Sequence, residues 1–301
     1  MLPSKTTYIR LIMTMIFWGG TFVTGRWVSA EMHPLAAASG RFLLAATMLL
    51  MVTWLREKSL PRLDRRQMVA MALLGLTGVF AYNILFFTGL QTVEAGRGAM
   101  IIAANPVVTA LLAIPLLGER FSLQRSIGIA LALAGAITVI SHGNPMKILQ
   151  GNVGLGELCL VGCVLSWAAY SIIGKKQLLR ISPLVAVTYS CVAGAIFLTI
   201  AALLAGHPPV VTGVSPRALA SLVYMALFGT TIGFIWFYQG VHELGAGRAS
   251  LFVNLVPVAG VSLGILLLGE RPDSSLFIGG LLVFCGLYLI NRREPLKTTT
   301  S

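Results

Sequence analysis

The chain has 301 residues, 56% of them hydrophobic and 11% charged, with a formal net charge of +12. A soluble domain carries about 25% charged residues, so this composition excludes a water-soluble globule and makes a bilayer the expected solvent. The basic excess does not point to nucleic acid, because no polar domain or basic stripe on a soluble helix exists to carry it.

Crossing a bilayer takes roughly 20 apolar residues. Such runs fall near 8–29, 34–55, 67–90, 97–117, 123–141, 154–174, 183–205, 217–241, 248–268 and 274–291, with short connections between them. The first run mimics a secretory signal, since Lys5 and Arg10 precede it and Val28-Ser29-Ala30 resembles a cleavage site. It is read as a retained span because it has a counterpart in the second half. The segment 56–66, REKSLPRLDRR, is the strongest cationic anchor. With both termini cytoplasmic, 16 of the 22 Lys and Arg fall on the inner side and 6 on the outer. That distribution satisfies the positive-inside rule and favours an even number of spans.

The fourth run of each half carries a duplication. Residues 96–120, GRGAMIIAANPVVTALLAIPLLGER, and 247–271, GRASLFVNLVPVAGVSLGILLLGER, agree at 11 of 25 positions at an offset of 151. The first runs align at an offset of 149, pairing Trp18 with Trp167, Gly25 with Gly174, Arg26 with Lys175 and Pro34 with Pro183. The third runs pair Phe86 with Phe237 and Gly89 with Gly240. Internal repeats decide architecture before other clues do. With five spans per half, the second half enters from the opposite side. The predicted class is therefore an all-α integral membrane protein of ten transmembrane helices in two inverted five-helix repeats. Residues 1–141 form the first repeat, 142–153 the connecting loop, and 154–301 the second repeat with a cytoplasmic tail.

The opening FWGGTFVTGR (17–26), the early GRF (40–42), the NPVVTALLAIPLLGER block (105–120) and their echoes SWAAYSIIGKK (166–176) and LVPVAGVSLGILLLGER (255–271) carry a family likeness. Together, over essentially residues 8–291, they resemble the EamA family of the drug/metabolite transporter superfamily. The resemblance implies two inverted repeats, cytoplasmic termini, residence in a bacterial inner membrane, and export of amino acids or small metabolites by alternating access.

The candidate substrate-binding residues come from three places. In the first span of each half, Trp18, Thr21 and Gly25, and likewise Trp167, Tyr170 and Gly174, share one helix face. An aromatic, a hydrogen-bonding group and a small residue suit a cavity wall, with plain helix packing as the alternative. The third spans carry Tyr82, Asn83 and Phe86 in one half, and Phe234, Trp236, Phe237, Tyr238 and Gln239 in the other. Amides at membrane depth need partners, either a neighbouring helix or a solute. The fourth spans carry Asn105-Pro106 and Asn254 ahead of Pro257. A mid-helix proline withholds the amide that would bond the carbonyl four residues back, here Ile102 and Val253. Such a proline either lines a cavity or makes a structural kink.

No Asp or Glu falls at a span centre, so the expected chamber is uncharged and carboxylate-coupled proton antiport is not expected. Arg26, Lys175 and Arg41 read as cations snorkelling to headgroups, with attraction of a substrate carboxylate as the alternative. Glu119-Arg120 and Glu270-Arg271 read as solvated charges after a helix stop. Cys159, Cys163, Cys191 and Cys285 read as small packing residues rather than a metal site. His33, His142, His207 and His242 are placed in connections. No catalytic set, cofactor motif or metal signature appears, so a membrane enzyme is disfavoured. Isolated amides do not make the polar ring of a channel. The expected partners are a small-molecule solute and membrane lipids, without nucleic acid, in a monomer or weak oligomer. An exporter of amino acids or small amphiphilic metabolites is the leading reading, and multidrug or other metabolite efflux is the alternative.

Overall fold

A computed structural model describes residues 5–117, 122–177, 181–209 and 213–291. Among these residues there are helices and no strands. Eight helical segments are long and apolar enough to cross a membrane: Pro34–Glu57, Arg65–Thr92, Ala95–Leu116, Leu123–Ile140, Leu155–Lys175, Pro183–Leu204, Pro216–Leu244 and Gly247–Leu268. A further helix, α1, spans Lys5–Ser29, a single short turn, α8, spans Met146–Leu149, and a shorter apolar helix, α15, spans Ser274–Asn291. Large apolar side chains such as Leu123, Leu204 and Leu266 face outward, as lipid-facing surfaces require.

Helix starts follow local chemistry. The helix α2 (Pro34–Glu57) begins with proline at its first turn, and His33 Nδ1 accepts from the Leu35 amide at 3.3 Å. Its counterpart α10 (Pro183–Leu204) also begins with proline, capped by Ser182. Proline suits this position because its missing N–H would be unpaired there anyway. Asp64 and Gln67 form a reciprocal capping box at the start of α3 (Arg65–Leu74), satisfying two end amides at once. Gly269, at φ 66°, ends α14 (Leu255–Leu268) in the left-handed conformation that glycine adopts without strain.

The segment 65–92 is interrupted by a π-helical stretch, Gly75–Ala81, before α4 (Tyr82–Thr92). Its counterpart α11 (Pro216–Tyr224) passes through π-helical Met225–Ile232 into α12 (Gly233–Leu244). In the second, Thr230 and Thr231 donate to the carbonyls five residues back, Met225 and Ala226, at 3.1 and 3.0 Å. Paired π segments at equivalent places mark both halves, and such segments concentrate at functional sites. The fourth segments are also broken alike. α5 (Ala95–Ile102) stops two residues before α6 (Asn105–Leu117), and α13 (Ala246–Phe252) stops two residues before α14. The prolines therefore sit just after a true break in the helix, and Pro106 and Pro257 both line the cavity described below.

Packing pairs the halves. The helix α7 (Leu123–Ile140) packs on α15, and α2 on α10. Both pairs are antiparallel. Gly135 lies against Gly279 while Gly128 lies against Gly286 and Ile290. Ser39 bonds Thr199 at 2.9 Å while Thr53 bonds Thr188 at 2.7 Å. A Cβ at Gly128 or Gly135 would strike the facing backbone, so these glycines set the close approach. Cross-half contacts also come in matching pairs. α1 packs on α12 and α14, while α9 (Leu155–Gln177) packs on α4, α5 and α6.

Candidate functional site

Between these helices lies a cavity of about 560 Å³, within the range of small-molecule sites. All eleven candidates named above, Trp18, Thr21, Tyr82, Asn83, Phe86, Asn105, Trp167, Tyr170, Phe234, Phe237 and Asn254, line this one space. The two tryptophans approach it from opposite sides. The Trp18 ring lies 5.7 Å from Phe234 and 5.3 Å from Phe237. Its Nε1 donates to Gly229 O at 2.9 Å. Trp167 lies 5.7 Å from Tyr82 and stacks on Tyr170 at 5.1 Å. Each first-span helix thus rests its aromatic on the third-span segment of the other half. Gly78 and Gly229 make this possible, since a Cβ would strike Tyr170 at the first and Thr21 at the second.

Other sequence candidates go elsewhere. Gln239 accepts from Arg10 Nη1 at 3.2 Å, joining α12 to α1. Trp236 packs by Phe17 at 5.8 Å. Tyr238 does line the cavity. Asn105 Oδ1 is buried with no partner among the described residues.

The chamber is not uncharged, which corrects the sequence expectation. Arg41 lines it and is 8% exposed, so it does not snorkel. Its Nη1 donates to Asn83 Oδ1 at 2.8 Å and its Nη2 to Thr230 Oγ1 at 3.3 Å. Asn83 Nδ2 in turn donates to Val79 O at 2.8 Å, which fixes the amide's orientation. Arg125 and Lys175 also line the cavity, and no Asp or Glu does among the described residues. The sequence leaves Arg41 between snorkelling and attraction of a substrate carboxylate, and the structure places it in the wall, where a charge seven residues past Pro34 lies about 10 Å along the helix. Sequence reasoning missed Thr230, whose role depends on the π segment.

One end of the bundle is closed. Glu270 Oε1 and Oε2 accept from the Ala95 and Gly96 amides at 2.6 and 2.9 Å. Glu270 therefore caps α5 across the halves and is not the solvated charge expected of it. Glu119 and Arg120, its sequence counterparts, lie outside the described residues. Arg97 donates to Asp273 Oδ2 at 2.8 Å and also to Val139 O. Arg26, read as snorkelling, donates to Leu90 O and Val93 O at 2.9 and 3.2 Å. Glu31 accepts from the Ser215 amide and hydroxyl at 2.9 and 2.7 Å. His33 stacks on His207 at 3.6 Å, and His142 lies 3.7 Å from Asp273. His242 is the exception among the histidines, being helical within α12. Burial raises the Asp273 carboxyl, but hydrogen bonds from Ser275 and Leu276 and the Arg97 charge outweigh it and bring it to about 2. At the other end the cavity reaches Arg125, Lys175, Ser250 and Ile290. Cys159, Cys163 and Cys191 are buried and free, and Cys191 forms part of the cavity wall.

An all-helical fold with several membrane-length helices and a central aromatic cavity defines a membrane transport protein, and sequence likeness agrees. The profile of the EamA-like transporter family matches residues 5–141 and 154–292. The chain belongs to the EamA-like transporter family. It is 31% identical over 280 residues to the uncharacterized transporter YyaM of Bacillus subtilis, covering 93% of this chain and 92% of the relative. It is 30% identical over 287 residues to a probable terminal-alkyne amino-acid exporter of Streptantibioticus cattleyicolor, covering 94% and 92%. A solved crystal structure shares the fold at a TM-score of 0.66 and 18% identity, covering 96% of this chain and 98% of that one. The protein is a multi-pass membrane transporter and not an enzyme.

Proposed function

We propose that the protein exports amino acids or small amphiphilic metabolites from a bacterial cell by alternating access around the aromatic cavity. In this reading ten transmembrane helices form two inverted five-helix repeats, residues 1–141 and 154–301, joined by 142–153. The antiparallel pairing of α2 with α10 and of α7 with α15 supports inversion. The cavity opens to the cytoplasm, beside the start of α1 and the end of α15, and the Glu270 end faces outward. The lysines and arginines of 56–66 favour that orientation in an inner membrane.

The observation that carries the proposal is the convergence of repeat-related residues from both halves on one cavity, as expected of a site at a repeat interface. Trp18, Thr21, Tyr82, Asn83, Phe86 and Asn105 come from the first half. Trp167, Tyr170, Phe234, Phe237 and Asn254 come from the second. The amino-acid exporter among the relatives favours amino acids over other solutes. A lining without acid among the described residues favours facilitated or exchange export over carboxylate-coupled proton antiport.

The test is efflux from cells and proteoliposomes, with a metabolite screen to find the solute. Trp18→Ala and Trp167→Ala are expected to abolish flux while inserting normally. Wild-type flux in both would remove the site assignment. A steep, pH-gradient-driven accumulation would end the coupling reading.

A further inference from the structure

The feature that the aromatic box alone leaves unexplained is Arg41. Its guanidinium is more than nine-tenths buried in the cavity wall. Its two hydrogen-bond partners, Asn83 and Thr230, are both neutral. They take two of the five N–H groups a guanidinium carries, and Nε has no partner among the described residues. No carboxylate of those residues lines the cavity. A buried cation without a counter-charge is costly, and proteins ordinarily pair it. The repeat does not demand the charge either, because the position equivalent to Arg41 at an offset of 149 is Ser190, which also lines the cavity.

We infer that Arg41 is the docking point for a carboxylate on the transported solute, so that the cavity selects amphiphiles bearing a carboxylate and rejects cations and neutral analogues. This rests on the proposed transport role and adds the substrate class. The guanidinium fork matches a carboxylate edge, and a single buried positive charge balances a single negative one. Asn83, held by Val79 O, positions the guanidinium and presents no negative charge of its own.

The experiment uses the full chain purified in detergent and four probes that share a phenyl ring: 3-phenylpropionate, phenylalanine, phenethylamine and 3-phenylpropanol. Labelled 3-phenylpropionate is bound at equilibrium and the others compete. The carboxylate-bearing probes are expected to bind, and phenethylamine and 3-phenylpropanol are not. Arg41→Gln is expected to weaken 3-phenylpropionate by about tenfold or more, the loss of a charge-assisted contact. Arg41→Lys is expected to be weakened less. Thr230→Glu keeps the arginine and gives it an internal counter-charge, so it is expected to lose binding while remaining folded and monodisperse. It decides the matter if Arg41→Gln fails to fold. Three results overturn the inference: competition by phenethylamine or 3-phenylpropanol equal to that of the carboxylates, wild-type affinity in the arginine or threonine variants, or no binding of either carboxylate probe. Binding is read without flux. A chain that binds carboxylates but moves none would sink the transport role and leave this inference standing.

Discussion

The triplet Ala-Gly-Arg opens both α5, at 95–97, and α13, at 246–248, yet the two helix starts sit in opposite circumstances. At α5 the amides are bonded to Glu270, and Arg97 is 5% exposed, bridged to Asp273 and Val139 O. At α13 no side-chain cap is present among the described residues, and Arg248 is exposed; Glu119, the repeat equivalent of Glu270, lies outside them. The cavity wall continues to Ser250 beside it. Equal sequence in unequal surroundings means that the difference lies in the arrangement of the halves and not in the composition of the two ends. Among the described residues, the two ends match in sequence and differ in contact.

Replacing the two arginines gives the largest expected contrast. Arg97→Ala strips Asp273 of its cation and removes the side-chain donor to Val139 O, which keeps the His142 amide at 3.4 Å. Because Asp273 is 44% exposed, the cost falls below that of a fully buried pair, at about 1–3 kcal/mol. Arg248→Ala, on an exposed side chain, should stay within about 0.5 kcal/mol. Thermal melts of both variants in one detergent read the order. Equal losses would mean that the closed end is no more tightly held than the open one.

The next contrast concerns opening rather than stability. Glu270→Ala removes a cap worth about 0.5–2 kcal/mol, and a shift of about 1.4 kcal/mol is tenfold in an equilibrium. Cys191, 3% exposed in the cavity wall, reports on it. With the other three cysteines replaced by serine, an impermeant maleimide added on the Glu270 side should label Cys191 about tenfold faster in the variant. An unchanged rate would show that Glu270 does not hold that end shut.

Much of this was legible in the chain itself. The offsets of 149 and 151 pair Trp18 with Trp167 and Phe86 with Phe237, and spacing along one helix face is enough to put aromatics on a shared wall. Pro34 and Pro183 announce their helix starts because proline pre-sets the backbone there. For Arg41 the sequence alone leaves both headgroup snorkelling and substrate attraction open, because a cation near a helix start ordinarily reaches the headgroups. What holds it inside is Asn83 and Thr230, the latter 189 residues away. Glu270 reads as solvated from sequence because its partners lie 174 and 175 residues off. The π segments carry no local signature. In the second, the Thr230 and Thr231 hydroxyls bond five residues back only once the wider turn exists.

The smallest expected effect separates the closed end by pH. Asp273 is held at about 2, against an ordinary 3.8. Glu31 is lowered as well, by the Ser215 hydroxyl first and the Ser215 amide second. A carboxyl lowered in the folded state adds stability that is complete above its ordinary value and lost as pH falls through the folded one. The carboxylate part of the seal should therefore hold from neutral pH down to about 4 and fail toward 2. His33 behaves differently in position but not in sign. Burial and then the nearby His207 push it below its ordinary 6.5, so protonation opposes the folded stack and a shallow loss begins as pH drops below that value. Melting temperature followed from pH 8 to pH 2 should show this shallow step and then a deeper one. His33→Gln should erase the first and keep the second, and Asp273→Asn should flatten the second and keep the first. If Asp273→Asn melts with the same acid limb as the parent chain, the low-pH weakness lies outside the Arg97–Asp273 contact, and the closed end owes its hold to Glu270 and the packed helices alone.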